Sequence, residues 1–299
     1  MLADAATTDR GRYSHPQWWI DALREQYPQH YREMLDNANR HPPLTVRVNA
    51  RRADVAEYRE RLTREGIDST ALGGSAVLIA KPVPVERIPG FSEGCVSVQD
   101  AAAQYGAVLL DAKPGQRVLD ACAAPGGKTA HMLERADLDL TALDNDEARL
   151  RRVASNLERL SLTAKLVCGD ATWPEAWWDG TPYDAILADV PCSASGVVRR
   201  HPDVKWLRRP SDISRFAQRQ RELLESLWQV LASDGKLLYA TCSVFREENH
   251  EQIRWFLDRH GDARRLTLPA PHTNAQQLAG QILPDERHDG FFYALLQKI

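Results

Sequence analysis

A series of short apolar runs, each ending in an acid, a thiol or a hydroxyl, constrains this sequence more than any other feature. Residues 117–120 form one such run, followed by a glycine turn and a helical stretch through Glu134. Residues 138–143 lead to Asp144 and a second helical stretch, 146–160. Residues 164–167 lead to Gly169-Asp170, 183–188 to Asp189-Val190-Pro191-Cys192-Ser193, and 236–240 to Thr241-Cys242-Ser243. Between the last two runs a long helix is predicted over 212–231, with Ile213, Phe216, Leu223, Leu224, Leu227 and Leu231 on one stripe. Apolar strands alternating with amphipathic helices predict an α/β fold with a parallel, doubly wound sheet. Ligands of such sheets bind at the carboxyl ends of the strands, and here five consecutive ends carry groups able to bind or react. Residues 281–283 and 291–296 are expected to close the chain as an antiparallel hairpin.

The N-terminal part reads differently. Residues 1–11 are expected to be a flexible lead-in. Ser14 can cap a helix in which Trp18, Trp19, Leu23 and Tyr27 recur at helical spacing. A loop at His41-Pro42-Pro43 precedes a strand over 44–49, then a helix over 55–65 stopped by Gly66, then a strand over 76–80. These predict a small α+β module over 12–92, expected to bind RNA, ahead of a catalytic domain over 93–299. The 299 residues are 43% hydrophobic and 26% charged, the balance of a soluble globular chain. No apolar run is long enough to cross a bilayer and no export signal opens the chain, so a cytoplasmic monomer is expected. The five cysteines, at 95, 122, 168, 192 and 242, include no C-x-x-C pair, which argues against a zinc ribbon or a disulfide framework. With a net charge of −3, any contact with nucleic acid must rest on a local basic patch.

The first strand ends in Asp120-Ala121-Cys122-Ala123-Ala124-Pro125-Gly126-Gly127-Lys128-Thr129. Small residues and paired glycines let backbone approach a ligand, and the following helix offers free N–H groups. It is not a phosphate loop, because Cys122 stands where that motif requires glycine, and adjacent glycines also break the dinucleotide pattern. A tight turn without a ligand is the plainer alternative. Asp144 suits either a ribose diol or the cap of the helix beginning near Asp146; taken alone, the cap is favoured.

The two cysteine segments, Asp189-Val190-Pro191-Cys192-Ser193 and Thr241-Cys242-Ser243, resemble the paired motifs of the RNA cytosine-C5 methyltransferases. The run from Cys192 through Arg199-Arg200-His201-Pro202-Asp203-Val204-Lys205-Trp206-Leu207-Arg208-Arg209 narrows the resemblance. With Arg47-Val48-Asn49, Pro89-Gly90-Phe91, Val98-Gln99-Asp100 and Gly290-Phe291-Phe292-Tyr293-Ala294, it is similar to the bacterial RsmB/Sun/Fmu branch, which methylates C967 of 16S rRNA. The resemblance runs from about Arg12 to Ile299. It departs in one respect: the branch carries an N-terminal helical domain similar to the antitermination factor NusB, and this chain starts just after its expected end.

The resemblance implies a Rossmann-like fold, a mostly parallel seven-stranded sheet, with S-adenosylmethionine as cofactor, S-adenosylhomocysteine as product and no metal. It implies that Cys122, Ala123, Ala124, Pro125, Gly126, Gly127 and Lys128 surround the cofactor's methionine and ribose. Asp144 would hold the ribose hydroxyls and Asp170 the adenine amino side. Cytosine C5 is a weak nucleophile, and a thiolate added at C6 makes it enamine-like. The family's nucleophile maps onto Cys242, and Cys192 is implied to help resolve the covalent product; from sequence alone either cysteine could attack. Asp189 is implied to bind the cytosine N3/N4 edge near the cofactor, and Lys128 is the favoured cation for activating the thiol.

Residues 199–221 hold seven arginines and one lysine against two aspartates. Arg199, Arg200, His201, Lys205, Trp206, Arg208 and Arg209 are therefore expected to meet RNA, with Arg47 and Asn49 as a second candidate site. A solvated charged face is the alternative. Two other functions compete with 16S methylation: action on another RNA such as a tRNA, and a catalytically idle RNA-binding or assembly protein.

Overall fold

The computed structural model describes residues 7–268 and 280–299. The predicted apolar runs all form strands: β5 (Arg117–Ala121), β6 (Asp139–Asp144), β7 (Lys165–Cys168), β8 (Tyr183–Asp189) and β9 (Leu231–Thr241). Pairing is parallel throughout this set, with β5 between β6 and β8, β7 beyond β6, and β9 beyond β8. The chain thus winds outward one way from β5, then returns to build on its other side. That reversal opens a crevice at the carboxyl edge.

The C-terminal hairpin forms as expected: β11 (Gln281–Ile282) pairs antiparallel with β12 (Phe291–Lys298), and β12 also pairs antiparallel with β9. One more strand, β10 (Ala263–Leu266), adds to the far side of β12. The mixed sheet therefore has seven strands in order β10-β12-β9-β8-β5-β6-β7, with β11 as an eighth beside β12. The long helix spans Pro210–Gln229, and β9 begins at Leu231, earlier than the expected 236. Its first residue pairs with Tyr183 and pairing to β8 resumes only at Lys236, so Ser233, Asp234 and Gly235 fall in an irregular stretch of the ladder with no strand pattern.

The small sheet is antiparallel, in the order β2 (Ser69–Gly73), β3 (Ala76–Ile79), β1 (Leu44–Val48), β4 (Val96–Val98). The helix Val55–Arg64, capped by Asp54, buries Tyr58 and Leu62 against Val46, Val48, Val77 and Ile79. Because β4 belongs to this sheet, the expected boundary at 92/93 falls inside the module. The N-terminal helices correct the expectation further. The lead-in is helical at Asp9–Tyr13, with Thr8 accepting from the Gly11 N–H. It and the helices Gln17–Gln26 and Tyr31–Asn37 share a core with Val198, Val244 and Phe245, from the loops after β8 and β9, and with Ile213 of the long helix. Trp19 meets Phe245 edge-on at 5.0 Å, and the Tyr27 hydroxyl donates to the Val244 carbonyl at 2.7 Å.

Arg47 was expected to face RNA, but it is 0% exposed. Its guanidinium donates to both Glu134 oxygens, at 2.8 and 2.7 Å, to the Gly127 carbonyl at 2.8 Å, and to Gln99. A fork of fixed donors fits a carboxylate better than a lysine would, so Arg47 fastens the small sheet to both ends of the helix after the glycine loop, Gly127–Arg135. Asn49 is also buried and donates to the Gly94 carbonyl. Neither residue reaches the surface.

Replacing Arg47 by Met should destabilise the protein by about 3–5 kcal/mol, since Glu134 would be left buried and unpaired. Arg47→Met combined with Glu134→Leu should recover most of that loss. Urea unfolding of the single and double variants checks both; equal losses would contradict the assignment.

Candidate active site

The site begins with the turn after β5. Ala123 donates its N–H to Leu143 O at 2.9 Å and Ala124 to Asp144 Oδ2 at 3.0 Å, so the loop is laced to the end of β6. Gly126 adopts φ +96°, and a Cβ there would come within 3.1 Å of Val153, which leaves glycine as the fitting residue. The helix Gly127–Arg135 follows directly.

Asp144 is buried and orders the turn: Oδ2 accepts from Ala124 and Oδ1 from the Asp146 N–H at 3.2 Å. It does not cap the next helix. Asp146 does, accepting from Ala148 at 2.7 Å and Arg149 at 3.0 Å. Asp170 accepts from Thr172 and takes both oxygens to Arg219, at 2.7 and 2.6 Å. Burial would raise its pKa, but the hydrogen bonds from Thr172 and Arg219 prevail and hold it low. A pocket of about 50 Å³ lies between these acids, walled by Cys122, Leu143, Ala171, Pro191 and Leu223. Apolar walls flanked by acids suit a nucleoside, whose faces are flat and whose diol and amino groups donate. Burial, then the Asp144 and Asp189 charges, push the Cys122 thiol up to about 12.

Lys128 and Asp189 meet at the floor of the crevice, Nζ to Oδ2 at 2.5 Å. The ammonium also lies 5.4 Å from the Phe291 ring centroid. Gly106 makes room for the lysine, since a Cβ there would stand 3.1 Å from its Cδ. Burial alone would lower the Lys128 pKa, but the Asp189 carboxylate and the Cys242 sulfur raise it, so the cation is secure.

The two cysteine loops leave neighbouring parallel strands, and Cys192 Sγ lies 3.3 Å from Cys242 Sγ. All five cysteines are free thiols. The bond to Cys242, burial, and the charge on that neighbouring sulfur hold the Cys192 thiol well above its ordinary range. Gly196 donates to the Cys242 carbonyl at 2.8 Å and accepts from Gly290; any side chain at Gly196 would strike the Gly290 carbonyl at 2.2 Å.

The basic run mostly serves this scaffold. Arg199 is buried against Asp289, and Arg200 pairs with Asp289 and Asp100. Lys205 is buried and donates to Asn39 at 2.6 Å. Arg208 stacks on Phe216 and donates to the Ser193 carbonyl. These four were expected at an RNA surface; desolvated cations instead find carboxylates, carbonyls or a ring. His201, Trp206 and Arg209 remain exposed.

Sequence reasoning missed Glu248. It is 0% exposed and accepts from Ser193, Ser243 and Gln220. Nothing in Arg246-Glu247-Glu248-Asn249 distinguishes it from a solvated charge. Asp120 was read only as a strand residue. Its Oδ2 accepts from Thr129 at 2.5 Å while Oδ1 has no partner. Burial, with Asp189 adding to it against the Thr129 bond, pushes its pKa up to about 7.

A switch-point crevice with acidic strand ends, a glycine loop and two adjoining thiols is the layout that the resemblance to the RNA methyltransferases implies. Residues 107–297 match the family model described as 16S rRNA methyltransferase RsmB/F, and residues 15–86 match the ferredoxin-like domain of that group. The chain is 47% identical over 300 residues to the ribosomal RNA small subunit methyltransferase B of Vibrio cholerae, covering 99% of this chain and 68% of that protein. The namesake from Serratia proteamaculans is 45% identical over 303 residues, covering 100% and 70%. A solved methyltransferase homolog protein from Pyrococcus horikoshii superposes with TM-score 0.83 at 29% identity, over 100% of this chain and 99% of that one. The chain belongs to the RsmB/F family of 16S rRNA methyltransferases. Among the described residues, no helix is long and apolar enough to cross a membrane and no cluster could hold a metal ion.

Asp120 gives this site a pH signature. Its carboxyl favours folding while protonated; that contribution is complete below its unfolded value of 3.8 and lost as pH rises through about 7. Asp120→Asn removes the titration, so its stability relative to wild type should rise between about pH 4 and pH 7, by at most about 4 kcal/mol. Urea midpoints across that range measure it; parallel profiles would contradict the assignment.

Proposed function

We propose that this chain methylates C5 of a cytosine in 16S rRNA, the one at position 967, through a covalent bond between Cys242 and the C6 of the base. The observation that carries this reading is the pair of sulfurs 3.3 Å apart, beside the Lys128–Asp189 pair. One base can face both thiols and the carboxylate at once.

The residues divide the work as follows. Asp144 and Asp170 hold the ribose and adenine ends of S-adenosylmethionine, with the loop 122–128 around the rest. That cofactor supplies an electrophilic methyl group. Lys128 stabilises the Cys242 thiolate, which adds to C6 and passes electron density to C5. Asp189, hydrogen-bonded to the Lys128 ammonium, accepts from the exocyclic amine of the cytosine. Elimination restores the C5–C6 double bond: Cys192 gives its proton to the departing Cys242 sulfur and takes up the C5 proton, so that both cysteines end as thiols. The target base leaves its stack to reach this floor. Exposed Trp206 offers a stacking face, with Arg209 and His201 beside it for phosphates. Arg10 and Lys205 each lie 5.9 Å from the Trp206 ring.

Methyl transfer to unmodified 16S RNA, mapped by bisulfite sequencing, tests the reading. One modified cytosine is expected, lost in Cys242→Ala, while Cys192→Ala should accumulate a covalent protein–RNA adduct on denaturing gels. Modification of tRNA instead would move the substrate; cofactor binding without an adduct in any variant would defeat the mechanism.

Lys128→Met removes the cation beside Cys242 and leaves Asp189 uncompensated. Both changes disfavour a thiolate at that place, so kcat should fall by about tenfold or more. An unchanged kcat would remove Lys128 from thiol activation.

A further inference from the structure

Cys192 and Cys242 belong to different loops, three residues past β8 and one residue past β9. The residue after each cysteine turns onto the same carboxylate. Ser193 donates its N–H to Glu248 Oε1 at 2.7 Å and its hydroxyl to Oε2 at 2.6 Å. The Ser243 hydroxyl donates to that same Oε2 at 2.5 Å, and Gln220 donates to Oε1 at 3.2 Å. Glu248 lies in the short turn Arg246–Glu248 with no exposed surface, and among the described residues no basic side chain forms an ion pair with it. A buried carboxylate held by neutral donors alone is a costly choice for a fold; an apolar residue would fill the space at lower cost.

We propose that Glu248 is a positioning residue that sets the separation of the Cys192 and Cys242 sulfurs by holding both cysteine loops on one carboxylate. A second tier stiffens the clamp. Ser195 bonds Ser243 at 2.9 Å and accepts from the Val244 N–H, and Asn249 accepts from Thr241 at 2.6 Å and donates to the Ser243 carbonyl at 2.9 Å. Addition and elimination at one base need both sulfurs at a fixed spacing, and misplacement by about 1 Å at a reacting centre costs on the order of a hundredfold in rate. The consequence for turnover rests on the function proposed above; the geometry does not.

Diamide provides a reporter independent of RNA. It oxidises two adjacent thiols to a disulfide, and the two hydrogens reduce its diazene to the hydrazine. Mass spectrometry of the linked Cys192 and Cys242 peptides gives the cross-linking rate in the whole chain. Sulfurs 3.3 Å apart need only a small approach to reach bonding distance. In Glu248→Gln the rate should fall by at least about tenfold, kcat should fall in parallel, and KM for S-adenosylmethionine should stay within about twofold. Ser193→Ala and Ser243→Ala, each removing one hydroxyl, should give intermediate rates, and they carry the test if the Glu248 variant does not fold. Cross-linking and kcat at wild-type values in Glu248→Gln, or wild-type cross-linking in both serine variants, would overturn the proposal. A wild-type protein that cross-links, slowed in these variants, yet methylates no RNA would uphold the clamp and defeat the proposed function.

Discussion

The parallel pairing of β8 with β9 is the constraint on which this site depends. Asp189 lies opposite Ala240 in the ladder, so the residues that follow both strands emerge side by side at the carboxyl edge. Two cysteines fifty positions apart in sequence are thereby delivered to one point. Parallel strands need a crossover, and the helix Pro210–Gln229 supplies it, covering one sheet face with Leu223, Leu224 and Leu227. The same helix contributes Arg219 to Asp170 and Gln220 to Glu248. One crossover therefore builds the core and braces both ends of the crevice.

Charge is used at this site mainly from within. The run after Cys192 has the composition of a nucleic-acid surface, yet Arg199, Arg200 and Lys205 are consumed in holding the loop to Asp289, Asp100 and Asn39. Arg47 does similar work between the small sheet and the helix after the glycine loop. Such pairs add little net stability over apolar packing, but breaking one partner is expensive. They fix geometry, which the chemistry proposed here needs more than it needs stability. The N-terminal helices act in the same direction, packing Trp19 and Tyr27 onto the segment just after Cys242.

The parts legible in the sequence are those with a local signature. Apolar runs ending in Asp144, Asp189 and Cys242 marked the strand ends because a strand's period and its terminus are both short-range features. The helix Ala101–Leu110 escaped notice because Ala-Ala-Ala-Gln-Tyr-Gly-Ala-Val-Leu-Leu is apolar on nearly every side and shows no stripe. The edge strand Ser69–Gly73 is mostly exposed and lacks a branched apolar core. Partnership across distance was not legible either: whether Arg47 meets RNA or Glu134, 87 positions away, is decided by tertiary packing. Glu248 is the sharpest case, since its neighbour Glu247 has the same side chain but keeps part of its surface exposed.

The central claim is that Cys242, rather than Cys192, forms the bond to the base. An RNA carrying 5-fluorocytidine at the target position tests it most directly, because fluorine at C5 cannot leave as a proton and the adduct is trapped. With S-adenosylmethionine present, intact-mass and peptide mapping should find the methylated nucleotide attached to the peptide containing Cys242. Attachment at Cys192, or no attachment while cofactor and RNA both bind, would contradict the account.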